Sequence, residues 1–205
     1  SWVSAQETKP TVANVSQTIA PATATTINIT GTNFVAIPQV QFINGTTGAI
    51  LNSNTVSLTN ATTLSVNCTL ATGNYYVRVE NPDGNAGRST NDIITASTAP
   101  TWSTAAGSVG SANAGATWSS IVLTATGDLP MTYAEAPGTA NALSVMGLSL
   151  ANSSNTAVLT GTATTPASTT SYNFTIRATD NDSQSTDRTF SVTINVGLTG
   201  GTQFN

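Results

Sequence analysis

The sequence predicts an all-β protein made of two tandem β-sandwiches. The chain has 205 residues, enough for two domains of about 100 residues each. Only 7% of the residues are charged, against roughly 25% in an average soluble protein, so the charged residues that build helix surfaces are scarce. Thr and Val are abundant, and both favour strands. Short alternating runs separated by Gly, Asn, Pro and Asp recur in both halves, which is typical of a β-sandwich.

Two similar openings mark the starts of the two predicted domains. Pro10-Thr11-Val12 begins the first and Pro100-Thr101-Trp102 begins the second. Each opening is followed by short strand-like runs with turn residues roughly every 8–12 positions. We therefore predict a tail at residues 1–9, a sandwich at 10–98, a second sandwich at 99–197 and a tail at 198–205.

Apolar residues recur at every second position through the first domain. Ile27 and Ile29 alternate with Thr and Asn, and Val40 and Phe42 alternate with Gln. This period of two predicts half-buried antiparallel strands. Asn81-Pro82-Asp83-Gly84 predicts a hairpin turn, because Pro fixes φ and Gly tolerates positive φ. The same alternation assigns further positions to the core, namely Val56, Leu58, Leu64, Val66, Cys68, Leu70, Tyr75, Val77 and Val79.

Four segments of the first domain follow the order and spacing of a known family. They are Pro10-Thr11-Val12, residues 27–34 with the motif TGTNF, Val40-Gln41-Phe42, and residues 73–84 ending in NPDG. Over residues 10–96 the chain thus resembles an IPT/TIG domain, which implies an immunoglobulin-like sandwich. Members of that family that contact DNA carry basic loops. This sequence has none, so the resemblance implies no DNA-binding role.

The second domain shows the same periodicity. Ile121, Leu123 and Ala125 precede a turn at Gly127-Asp128-Leu129-Pro130, and two short strands are predicted at 147–150 and 158–162. The last hairpin places Tyr172, Phe174, Ile176 and Ala178 against Phe190, Val192, Ile194 and Val196. The segments GLSL, LTGT, YNFTIRATD and RTFSVTINV resemble the cadherin-like, immunoglobulin-type repeats of bacterial surface proteins and phage virion proteins. With the first domain, this predicts two tandem immunoglobulin-like β-sandwiches.

The tandem order of the two modules resembles virion structural proteins of marine tailed phages, of the cyanophage type, as do the Lys-poor composition and the short tail Gly200 to Asn205. The resemblance implies a multi-copy subunit that decorates the head or forms part of a tail appendage, at the virion surface. Its partners would be other virion proteins, further copies of itself and host surface glycans. The alternatives are an adhesin or fibre module on a bacterial surface and, less favoured, a carbohydrate-binding module cut from an enzyme.

The missing residue types exclude several kinds of chemistry. The chain has no His and a single Cys, so the commonest general base, the commonest zinc ligand and an intrachain disulfide are all lacking. Five basic residues and a net charge of −4 leave no surface for nucleic acid. No apolar run is long enough to span a membrane. We expect no enzymatic activity, no catalytic residue and no required cofactor.

A few residues remain as candidate contact sites. Asp180 and Asp182 are oxygen ligands of the kind that Ca²⁺ selects, although Asp-Asn-Asp-Ser is also an ordinary turn sequence. Trp2 and Val3 in the first tail, and Phe204 in the second, could anchor the chain to a partner, and we favour the first tail because Trp buries more apolar area. Several aromatic residues could form a sugar-stacking face or pack in the core, and only Tyr76 is predicted to point outward. The others are Trp102, Trp118, Tyr133 and Trp2.

Overall fold

The computed structural model describes residues 8–197, and it divides into two compact units between Thr98 and Ala99. The described residues form nineteen strands and one short 3₁₀ helix. No helix among them is long and apolar enough to cross a membrane.

The first unit consists of two facing sheets. One sheet has the strand order β1-β3-β7-β6, and the other has β2-β10-β8-β4-β5 with β9 also paired to β8. The strands are β1 (Thr11–Val12), β2 (Gln17–Ile19), β3 (Thr25–Thr32), β4 (Gln39–Asn44), β5 (Ile50–Asn52), β6 (Thr55–Asn60), β7 (Thr63–Cys68), β8 (Gly73–Glu80), β9 (Ala86–Arg88) and β10 (Ile94–Ala96).

The core between these sheets follows the alternation in the sequence. In β8, Tyr75, Val77 and Val79 are buried, and the residues between them face away from the core. The predicted inward positions in β3, β4 and β7 are buried as well. Val56 and Leu58 of β6 are only partly buried, because β6 is the last strand of its sheet and lacks a neighbour on one side.

The second unit repeats this plan with longer strands in one sheet. The sheet β12-β19-β18-β15 faces the sheet β13-β17-β16, and β11 pairs with β14. The strands are β11 (Thr101–Trp102), β12 (Gly107–Asn113), β13 (Ile121–Leu123), β14 (Ala125–Thr126), β15 (Thr132–Glu135), β16 (Leu148–Ser153), β17 (Thr156–Gly161), β18 (Thr170–Thr179) and β19 (Ser185–Asn195), and the helix η1 spans Leu143–Met146.

Strand order identifies both units as immunoglobulin-like sandwiches. The order β1-β3-β7-β6 matches the ABED sheet of that fold, and β10-β8-β4 matches its GFC sheet. In each unit the first strand is divided into two parts. The first part pairs antiparallel with a strand outside the sheet that holds the last strand, as β1 does with β3 and β11 with β14. The second part pairs in parallel with the last strand, as β2 does with β10 and β12 with β19. The predicted fold class is confirmed.

Candidate functional site

Tyr76 lies on the outer face of the six-stranded sheet of the first unit, as predicted. Its neighbours Tyr75 and Val77 point into the core, so Tyr76 must point away from it. In register, Tyr76 stands opposite Ile43 of β4, and Ile43 stands opposite Ile50 of β5. The three side chains therefore form a row across the sheet, and Ile50 at its edge is 60% exposed.

Tyr76 points outward but is half-buried, because Arg88 covers one face of its ring. The guanidinium carbon of Arg88 lies 4.3 Å from the centroid of the Tyr76 ring, which is a cation–π contact. Arg88 belongs to β9 and stands opposite Arg78 in register, so it reaches Tyr76 diagonally across the strand pair. A sugar ring could not stack directly on the covered face of Tyr76. The ring instead supports a charged group.

A second row of polar side chains runs beside Tyr76. Arg78 donates to Gln41 Oε1 at 3.0 Å, and Gln41 Nε2 donates to Asn52 Oδ1 at 3.0 Å. Arg78 is also paired with Glu80. These side chains lie in register on β8, β4 and β5, so the row crosses three strands with its amides held in fixed orientations.

Sequence analysis missed Arg88. Its contact with Tyr76 depends on how β9 pairs with β8, and the sequence shows only a turn between the two arginines. The signal was present nonetheless. Arg78 and Arg88 are separated from the turn Asn81-Pro82-Asp83-Gly84 by similar numbers of residues. A hairpin with this turn therefore places the two arginines opposite each other.

The aromatic residues of the second unit are core residues. Trp102 and Trp118 are 5% and 4% exposed, and each indole N–H donates to a backbone carbonyl, of Thr186 and Met146 respectively. Tyr133 is buried as well and lies 5.7 Å from Trp102 between ring centroids. The structure favours packing over a sugar-stacking face for these three residues, because their rings do not reach the surface.

Asp180 has the geometry of a turn residue. It is 5% exposed, and its Oδ1 accepts hydrogen bonds from the backbone N–H of Asp182 and of Gln184 at 3.0 and 2.9 Å. The Oδ2 atom is buried without a hydrogen-bond partner. Within residues 8–197, no three His, Cys, Asp or Glu side chains are grouped so as to hold a metal. The hydrogen bonds of Oδ1 support the turn interpretation, and Ca²⁺ binding by Asp180 and Asp182 stays a prediction.

Cys68 is fully buried at the end of β7, as predicted. Burial raises the pKa of its thiol above the ordinary value, because desolvation disfavours the thiolate. A protonated, enclosed thiol is a small hydrophobic side chain and not a nucleophile.

The predicted anchor residues Trp2, Val3 and Phe204 lie outside the described residues. Their role in binding a partner stays a prediction.

Comparisons with known proteins return distant structural similarity only. No family model and no curated protein sequence matches the chain. An I-band fragment from titin is 12% identical with a TM-score of 0.47, over 93% of this chain and 66% of that one. The endo-fucoidan hydrolase MfFcnA4 from glycoside hydrolase family 107 is 15% identical with a TM-score of 0.40, and the fibronectin(III)-like modules of Clostridium thermocellum CbhA are 14% identical with a TM-score of 0.42.

These matches do not change the fold assignment, which rests on the strand order. The chain spans slightly less than two thirds of the titin fragment and 30% of the fucoidan hydrolase, against 99% of the CbhA modules. Because the TM-scores are below 0.5, we draw nothing from them about function.

Proposed function

We propose that the chain is a non-enzymatic structural subunit present in many copies in an assembly, and specifically a phage virion protein that decorates the head or builds a tail appendage. The two immunoglobulin-like units agree with this role, since such modules serve as scaffolds whose function lies in their surfaces. The IPT/TIG and cadherin-like sequence motifs, in tandem, support the virion assignment. The absence of His from the whole chain supports a role without catalysis.

The observation that carries the assembly role is the edge strand β5. It pairs only with β4, so the hydrogen-bonding groups on its other side face outward. Ile50 and Leu51 on this strand are 60% and 39% exposed. Free monomers usually protect such edges with charge or Pro, and β5 has neither. An unprotected apolar edge is suited to pairing with a strand of a neighbouring subunit.

Self-association tests this role directly. We expect the wild-type chain to associate with rising concentration in sedimentation velocity, and Ile50→Lys to remain monomeric because a charge then blocks the edge. Leu129→Lys is the matched control, because Leu129 is 64% exposed but lies in a loop. Equal association of the wild type and Ile50→Lys would refute pairing through β5.

Purified particles test the virion assignment. The chain should be found there in many copies, whereas recovery in the envelope of a bacterium would favour the surface adhesin instead. If Trp2 is the anchor, Trp2→Ala should lower incorporation while Phe204→Ala leaves it unchanged. The reverse pattern would move the anchor to the second tail.

A further inference from the structure

A cleft lies beside Arg88 in the first unit, between the start of β1 and strand β9. Its volume is about 310 Å³, and its described lining includes Lys9, Thr11, Arg88 and Thr90. Two of the five basic residues of the chain thus line one cleft. No acidic residue is among the described residues that line it.

The two cations are brought together by backbone packing. Gly87 lies so close to the neighbouring chain that a Cβ at this position would be 2.0 Å from the carbonyl oxygen of Pro10. This contact holds the segment that carries Lys9 directly against the strand that carries Arg88. The relative position of the two segments is therefore fixed by their backbones and not by their side chains.

Arg88 keeps its hydrogen-bonding capacity for a ligand. Both described ion pairs, Arg78 with Glu80 and Arg177 with Asp187, leave it out. Its recorded contact is with the face of Tyr76, which does not consume the N–H groups at the guanidinium edge. A guanidinium held over the ring keeps its planar fork of N–H groups, which matches a carboxylate or a sulfate.

Thr90 adds a neutral donor to the same cleft. Asn14 Nδ2 donates to the Thr90 hydroxyl, while Asn14 Oδ1 accepts from the backbone N–H of Thr90 and of Asn91. Because the Thr90 hydroxyl oxygen accepts from Asn14, its own proton points elsewhere and is available to a ligand. The residues that line the cleft therefore include an ammonium, a guanidinium and a hydroxyl as donors.

We propose that this cleft binds an anionic group, a carboxylate or sulfate, carried by an acidic polysaccharide. The row formed by Arg78, Gln41 and Asn52 continues from Arg88 across the sheet in register, at roughly 5 Å per strand. Its amides suit the neutral hydroxyls of neighbouring sugar units. The proposal rests on the proposed function for its biological meaning, since a surface subunit that recognises host glycans needs a site of this kind.

The acidic residues near the cleft do not neutralise its two cations. Glu80 is paired with Arg78. Asp92 is exposed and lies beside Gly45 near the edge of the Tyr76 ring, and it makes no described ion pair with Arg88. A net charge of −4 for the whole chain opposes the continuous phosphate backbone of nucleic acid, whereas the hydroxyls between the anionic groups of a polysaccharide match the neutral amides of Gln41 and Asn52.

Binding of the full chain to immobilised polysaccharides tests the proposal. The probes are a polyuronate, dextran sulfate, neutral dextran and single-stranded DNA, at low and at high salt. We expect binding to the polyuronate or to dextran sulfate, weakening with salt, and none to neutral dextran or DNA. The preferred probe of the first two identifies the anionic group.

The variants locate the binding. Arg88→Gln should weaken it by about tenfold or more, the loss expected for a charge-assisted hydrogen-bonded pair. Arg88→Lys should weaken binding less than Arg88→Gln does, because it keeps the positive charge and loses only the planar guanidinium N–H groups. Arg177→Gln removes the same charge from the second unit and should bind as the wild type does. Lys9→Gln, a change at an exposed residue that leaves the Tyr76 contact intact, should also weaken binding.

Three results would overturn the proposal: no binding to either acidic polysaccharide, equal losses in Arg88→Gln and Arg177→Gln, or preferred binding to DNA. These outcomes are distinguishable from failure of the proposed function. A chain that enters particles but does not bind acidic polysaccharide refutes the cleft alone. A chain that binds through Arg88 but is absent from particles refutes the virion assignment alone.

Discussion

One asparagine in each unit accepts from a backbone N–H and donates to a backbone carbonyl, but the two lie at different depths. Asn81 accepts from the N–H of Val35 at 3.0 Å and donates to the carbonyl of Asn33 at 2.7 Å. Asn152 accepts from the N–H of Tyr133 at 2.7 Å and donates to its carbonyl at 3.0 Å. Asn81 is 3% exposed, whereas Asn152 is exposed. Replacing each by Ala therefore compares the loss of two hydrogen bonds to backbone at a buried residue and at an exposed one.

We expect Asn81→Ala to lower the free energy of unfolding of the first unit by about 2–3 kcal/mol, since two hydrogen bonds of about 1 kcal/mol are lost and a buried site is left unfilled. The corresponding fall in Tm is on the order of 10 °C for a domain of this size. Asn152→Ala should cost under about 1 kcal/mol, because water replaces the amide.

Separate probes assign the effect to each unit. In a Trp2→Phe background, the remaining indoles are Trp102 and Trp118, both buried in the second unit. Their fluorescence in a urea titration follows that unit, while far-ultraviolet circular dichroism follows both. Asn81→Ala should shift only the dichroism transition. Equal costs for the two variants, or a larger cost for Asn152→Ala, would refute the argument that burial decides the magnitude.

Three further predictions concern single positions. Gly31→Ala should destabilise the first unit by about 1–3 kcal/mol in thermal unfolding, because the new Cβ would lie 1.9 Å from the carbonyl oxygen of Thr11. Gly197→Ala is the control and should have no effect, because a Cβ there meets open space. Burial raises the pKa of the Cys68 thiol in the folded state, so the thiol of the unfolded chain ionises first as the pH rises. The free energy of unfolding should therefore keep its full value below about pH 8.5 and fall above it. Urea titrations at pH 7.5 and 9.5 should show a fall that Cys68→Ala lacks, and an identical fall in both proteins would contradict this. Asp180→Asn should be tolerated, because the amide keeps Oδ1 as acceptor and removes a buried charge, whereas Asp180→Ala should cost about 1–3 kcal/mol in the same assay; equal losses would contradict the turn role.

Periodicity predicted the buried faces of both units because it is a local property. In β8 and in β18, residues two apart share a face, so Tyr75, Val77, Phe174 and Ile176 could be assigned to the core without knowing their partners. The hairpin of β18 and β19 could also be predicted, because both strands alternate without a break through a long register.

Strand divisions could not be predicted in this way. The last strand of the first unit is interrupted between β9 and β10, where Ser89 Oγ accepts from the N–H of Val77 and donates to the carbonyl of Asn91. The parallel pairing of β2 with β10 joins segments from opposite ends of the unit. Such contacts depend on the closure of the whole sandwich and leave no periodic signal in either segment.

The cleft at Arg88 illustrates the same limit for function. Tyr76 was predictable as an outward residue, because its neighbours alternate with it along one strand. For Lys9 and Arg88 to line one cleft, β1 must lie between β3 and β9. Each of these flanking strands has a glycine where the β1 segment packs closely against it. At Gly31 and at Gly87, a Cβ would come within about 2 Å of a β1-segment carbonyl oxygen, at 1.9 Å and 2.0 Å respectively. The two glycines therefore do more than relax the backbone, since they determine where the first strand docks and, with it, where the lysine is held. A charge-poor sequence can thus concentrate two of its few cations at one cleft without any cluster of basic residues along the chain.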